Sequence, residues 1–182
     1  MPYMTENNPT PEVTFSVESV PADALTLLGV IRADIQAQLL KVLTSTDERA
    51  HVLVSVVKNG VFVSSIIEGK DGKFRFGEIT PESIYELYKL KTQQFSAEKG
   101  AWFSVQFTTA ADGFITQTSY NYDKQIYSGA TPEEWYIAPE VETESYNSPW
   151  NVVDYKEDIE EFPRKEDAIP EWLRTPDWLK ND

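Results

Sequence analysis

The dipeptide Asn59-Gly60 constrains this chain more than any other feature. It lies between two runs rich in β-branched residues, 50–58 (AHVLVSVVK) and 61–68 (VFVSSIIE). A type I′ turn needs positive φ at both central residues, and Asn-Gly supplies it, so the spacing predicts a β-hairpin with a two-residue loop. In that register Lys58 stands opposite Val61, Val56 opposite Val63, Val54 opposite Ser65 and Val52 opposite Ile67. The other face pairs Val57 with Phe62 and Leu53 with Ile66. Both faces are apolar. Strands of this kind are expected at the centre of a sheet covered on both sides.

The neighbouring segments supply further strands. Gly69-Lys70-Asp71-Gly72 is a turn, and Lys73–Gly77, with Phe74 and Phe76, continues the meander. A second hairpin is expected over Gly100–Asp123. Its first strand alternates, with Phe103, Val105 and Phe107 on one face and Trp102, Ser104, Gln106 and Thr108 on the other. Ala110-Ala111-Asp112-Gly113 forms the loop, where Asp-Gly provides positive φ. The return strand carries Phe114, Thr116, Thr118, Tyr120 and Tyr122 on one face.

Two helices are expected to cover the sheet. After Pro21, the residues Leu25, Leu28, Ile31, Ile35, Leu39 and Val42 recur at spacings of three and four, with Gly29 as a weak spot. Thr80-Pro81-Glu82-Ser83 starts the second helix, with Thr80 as cap, Ile84, Leu87, Tyr88 and Phe95 on its apolar stripe, and a stop near Gly100. Ahead of these, residues 1–11 are expected to be a flexible leader, and Val13, Phe15 and Val17 alternate as a short strand.

Beyond Thr131 the composition changes. This stretch holds 15 acidic and 5 basic residues and four of the five tryptophans, so it carries −10 of the chain's net charge of −14. Disordered acidic tails are poor in aromatics, so this one is expected to fold back on the core. Pro132–Trp135 forms a helical turn, 151–162 (NVVDYKEDIEEF) a short helix, and Pro170-Glu171-Trp172-Leu173 and Pro176-Asp177-Trp178-Leu179 two docked turns. The expectation is one α+β domain over residues 12–182. It has an antiparallel sheet of five to six strands in hairpins and a meander, two main helices packed on it, and an irregular acidic, Trp-rich C-terminal segment (131–182) docked on the core.

Chemistry is sparse. The chain has no cysteine, which removes disulfides, thiol nucleophiles and cysteine-ligated metals. His51 is the single histidine and no Gly-x-Ser-x-Gly accompanies it, so it reads as a strand-edge residue with no catalytic triad. Gly69-Lys70-Asp71-Gly72-Lys73 precedes a strand where a phosphate loop would precede a helix. No calcium-loop spacing occurs. Glu157, Asp158, Glu160 and Glu161 are closely spaced and are expected to form a solvated helix face. Neither a catalytic, a cofactor nor a metal site is therefore assigned. A net charge of −14 disfavours nucleic acid and anionic membranes and favours a basic partner. There is no apolar run of membrane-spanning length and no secretory signal at the N-terminus, so the expected location is the cytoplasm.

Trp102 in a strand, the turn Ala111-Asp112-Gly113 and the run Tyr120-Asn121-Tyr122-Asp123 together resemble the hairpin of the YezG-like immunity proteins. Downstream, Asp154-Tyr155, Glu161-Phe162-Pro163-Arg164 and Pro170-Glu171-Trp172-Leu173 are similar to tails of members of that group. The resemblance covers residues 80–173. It implies a non-catalytic immunity protein or antitoxin that binds and blocks a cognate toxin domain, one with a basic surface. The candidate contact residues are Trp102, Tyr120, Tyr122, Asp123, Glu133, Glu134, Trp135, Asp154, Glu157, Asp158 and Glu161. The alternatives are a regulatory or scaffolding protein-binding domain without a toxin partner and, ranked last, a carboxylate-based enzyme.

Overall fold

The computed structural model describes residues 22–139 and 148–174. The expected leader, the strand over Val13–Val17 and the turn at Trp178 lie outside the described residues. The fold is α+β. Its sheet has five antiparallel strands, β1 (Asp47–Val57), β2 (Gly60–Gly69), β3 (Phe74–Phe76), β4 (Ser104–Thr109) and β5 (Ile115–Asn121), in the order β3-β2-β1-β4-β5. Three α-helices are described: α1 (Ala22–Leu39), α2 (Leu87–Gln94) and α3 (Val152–Glu161).

Each face of β1 and β2 is buried, as their two-sided apolar pattern requires. On one side Val52, Val54, Val56 and Ile67 join Ile31, Ile35 and Leu39 of α1 and Leu87 and Leu90 of α2. On the other, Leu53, Val57 and Ile66 join Trp135, Tyr155, Ile159 and Leu173 from the C-terminal segment. The tail supplies the second layer that the strands need.

The hairpin register differs from expectation by two residues. Val57 pairs with Gly60 and Val56 with Val61, so the loop is Lys58-Asn59, with Lys58 at φ 59°. Two tertiary contacts outweigh the local preference. The Lys58 backbone N–H donates to Asp158 Oδ1 at 2.7 Å. The Trp150 ring lies so close over Gly60 that a Cβ there would sit 2.6 Å from it. A slip of two keeps every side chain on its own face, so both hydrophobic layers survive.

The second hairpin departs twice from simple alternation. Its loop is as expected, with Gly113 at φ 82° and Asp112 accepting from the Phe114 N–H. A register shift between Thr108 and Thr109, however, turns Ile115 into the core and leaves Phe114 60 % exposed. The chain is also irregular ahead of Ser104. Trp102 consequently shares a core with Val105 and Phe107, whereas Phe103 packs with the C-terminal layer.

α1 runs through Gly29 without a break. The second helix begins instead as a 3-10 turn (Glu82–Glu86) capped by Pro81, without a side-chain cap from Thr80. It stops at Gln94, where Phe95 turns extended and Ser96 bridges to Gly100. α3 follows its sequence signal: Asn151 and Asp154 form a reciprocal capping box.

Candidate functional site

The seam between α2 and α3 gathers more titratable groups than any motif in the sequence suggested. In α2, Tyr88 and Lys91 are three residues apart; in α3, Asp158 and Glu161 are three residues apart. Residues at that spacing share a helix face, and the two faces mesh. Lys91 Nζ donates to Asp158 Oδ1 at 2.6 Å inside the protein, and the Tyr88 hydroxyl donates to Glu161 Oε1 at the surface.

The inner pair is closed to solvent, with side-chain exposures of 0 % for Lys91 and 1 % for Asp158. Lys91 also donates to the Val56 carbonyl at 2.5 Å, and its ammonium lies 5.1 Å from the Phe162 ring centre. Burial pushes the lysine down and the carboxyl up from their ordinary values, and the attraction between them opposes both shifts. Asp158 thus joins three elements: α2 through Lys91, the β1–β2 turn through the Lys58 N–H, and α3 itself. Lys58 Nζ adds an ion pair to Glu157 at the surface.

The outer rim is aromatic and acidic. Tyr85 is 74 % exposed and Tyr88 37 %. Glu82, Glu86 and Lys89 are exposed on the same 3-10 turn and helix, and Glu160 and Glu161 are exposed at the end of α3. Glu161 raises the Tyr88 hydroxyl to about 12 through their hydrogen bond. The last turn of α3 holds no basic residue, so Glu160 and Glu161 sit against the negative end of the helix dipole.

The sequence-derived contact residues divide into two groups. Trp102, Tyr120, Trp135 and Asp158 are buried and offer no surface to a partner. Trp102 and Tyr120 are tied through Gln94, which accepts from the Trp102 indole at 2.8 Å and donates to the Tyr120 hydroxyl at 3.2 Å. The Trp135 indole donates to Ser64 Oγ at 3.2 Å. Asp158, expected on a solvated face, is instead the buried end of the ion pair. Tyr122 is half-buried, with its carbonyl held by Arg164 at 2.6 Å. Asp123, Glu133, Glu134 and Glu161 are exposed; Asp154 and Glu157 are partly so. Asp154, Glu157 and Glu161 share α3, whereas Glu133 and Glu134 ride on a separate 3-10 turn (Glu133–Tyr136).

Tyr85, Tyr88 and Lys91 were absent from that set. Tyr88 counted as core, yet it lies beside the buried line Ile84–Leu87–Leu90. The available signal was Lys91, a lysine four residues after Leu87 at a position where the stripe demands burial.

His51 is not at a strand edge. It occupies the middle strand β1, between Ile66 and Thr108, with no exposed surface. Its Nε2 lies 3.1 Å from Glu68 Oε1, and burial lowers its pKa to about 4 against the pull of that carboxylate. Among the described residues no three metal-ligating side chains converge, and no helix is long and apolar enough to cross a membrane. No protein-family model matches the sequence, and no curated protein matches it.

Proposed function

We propose that this chain is a non-catalytic immunity protein or antitoxin, acting in the cytoplasm by binding the basic surface of a cognate toxin domain. The observation that carries the reading is the exposed pair Tyr85 and Tyr88, with Tyr88 bonded to Glu161 and exposed carboxylates at Glu82, Glu86 and Glu160 on the same elements. Tyrosine gives a large, rigid contact at low entropic cost and is enriched at interface centres. Carboxylates around it steer a cationic partner and add little for a neutral one. Placing two of them at a helix C-terminus costs local stability, and a bound cationic surface relieves that cost. Asp123, Glu133 and Glu134 are further exposed carboxylates. Asp158, whose carboxyl burial pushes up, is shut away against Lys91, which disfavours the carboxylate-enzyme reading.

The test is co-expression with the toxin-like C-terminal domain of a protein encoded by a neighbouring gene. Protection of the cell, together with a complex on pulldown, is expected. Tyr85→Ala and a Glu160→Lys/Glu161→Lys double variant should lose both while remaining folded. No protection and no complex would overturn the toxin reading. Protection unaffected by either variant would remove the seam from it.

A further inference from the structure

From Thr26 to Leu40 the outward face of α1 is uncharged and, past Thr26, apolar. Its inner face packs Ile31, Ile35 and Leu39 into the core at 0 % exposure. Its outer face presents Gly29, Val30, Ala33, Ala37 and Leu40, all exposed, with Val30 at 53 % and Leu40 at 57 %. Leu40 continues the helix, since its N–H donates to the Gln36 carbonyl at 3.0 Å. Between residues 26 and 40 the charged residues are Arg32 and Asp34, and both are drawn to the flanks. Arg32 reaches the Ile115 carbonyl, and Asp34 accepts from the Ser83 N–H and hydroxyl at 2.7 and 2.6 Å. A helix apolar on both sides is ordinarily covered on both sides. Phe114, 60 % exposed, follows Gly113, whose backbone approaches Gln36 and Leu43 at the end of α1.

We infer that this face pairs with a second copy of the chain, α1 against α1, antiparallel about a two-fold axis. Residues 30, 33, 37 and 40 are spaced three, four, three, the seam that two helices share. Reversing the order maps the set onto itself. Val30 stands opposite Leu40 of the partner subunit, and Ala33 opposite Ala37 of the partner subunit. A two-fold interface demands this self-complementarity. Bulk at the ends and alanine at the centre let the helices approach closely.

Charge selects the same occupant. A chain at −14 resists pairing with itself unless its carboxylates are kept apart. The described part of the acidic segment lies across the opposite face of the sheet from α1. Pairing through α1 therefore places the two acidic layers outermost, farther apart than the ~8 Å screening length at physiological salt.

The size of the face sets the strength. From Val30 to Leu40 the seam spans about 15 Å, and a stripe ~10 Å wide falls short of the ~800 Å² per partner of a standard interface. An interface of that size belongs with the weak, transient ones.

The experiment is sedimentation of the full chain from about 1 μM to 1 mM, with cysteine cross-linking. The native chain has no cysteine, so an introduced thiol is unique. The wild type is expected to dimerise reversibly. Ala33→Glu, a substitution tolerated by a helix surface, should weaken dimerisation at least tenfold without shifting the melting temperature. A mixture of differently tagged Ala33→Cys and Ala37→Cys chains should form the mixed disulfide in preference to either like pair. Three results would overturn the inference: a wild type monomeric at 1 mM, an Ala33→Glu chain that dimerises as well as the wild type, or an internal disulfide in a monomeric Val13→Cys/Ala33→Cys chain, which would put the chain's own N-terminal segment on the face.

Discussion

Lys91 Nζ and Asp158 Oδ1 meet at 2.6 Å, 67 positions apart in sequence and sealed from solvent. This contact joins the helical layer on one face of the sheet to the C-terminal layer on the other, around the end of β1 at the Val56 carbonyl. Removing one member of a buried pair leaves an uncompensated charge, which costs about 3–5 kcal/mol. Lys91→Met and Asp158→Asn should each lower stability by about that much in urea melts. The double variant Lys91→Met/Asp158→Asn should be less unstable than the sum, because no orphaned charge remains. Additive losses would mean that the two side chains act separately.

Acid should destabilise the protein in a defined window. His51 titrates near 4 in the fold and near 6.5 in an unfolded chain. Between those values the unfolded state binds the extra proton, so stability is full above pH 6.5 and falls as pH drops toward 4. A shift of this size corresponds to at most about 3 kcal/mol. His51→Gln should flatten the stability–pH slope in that window. A second loss should appear only at lower pH, when Asp47 is protonated; its paired Arg75, at 2.5 and 3.0 Å, lowers it to about 2. An unchanged slope in the histidine-free variant would exclude His51 as the source.

Gly60→Ala should cost about 1–3 kcal/mol, the usual penalty for overpacking. The new methyl would strike the Trp150 ring, whose indole is held by Ser55 Oγ at 2.8 Å. In a Trp150→Leu background the same change should be nearly silent. An equal cost in both backgrounds would point to the backbone of Gly60 and away from the ring.

Association with a basic partner should weaken as salt rises, chiefly through a slower on-rate. Stopped-flow measurements at about 50 and 500 mM salt separate the two rates. Tyr85→Ala should act mainly on the off-rate, with stability unchanged within about 0.5 kcal/mol, since the ring is exposed. A complex indifferent to salt would remove the acidic rim from recognition.

Much of the architecture was legible locally. The two-sided apolar pattern of 50–57 and 61–67 demanded a layer on each face, and both layers are present. The turn at Asp112-Gly113 and the Asn151 cap of α3 depend on neighbours within a few residues, so their signals needed no context. The contact surface was legible only in part. Trp102, Tyr120 and Trp135 looked like anchors because they are aromatic, yet their indole and hydroxyl groups find partners in Gln94 and Ser64, and they serve the core.

Asn59-Gly60 shows where the division falls. Alone, the sequence determined that a hairpin turns here and which side chains share each face, because a period of two is written into the strands. Tertiary structure decided the register. Asp158 arrives from 100 residues away to take the Lys58 N–H, and Trp150 settles over Gly60. Together these contacts hold Lys58 at positive φ. The same long-range docking buried Lys91 and Asp158 and left Tyr85 outside. The helix stripe marks Lys91 for burial, but no local pattern encodes its partner, because those energies come from groups that meet only after the C-terminal segment has crossed the sheet.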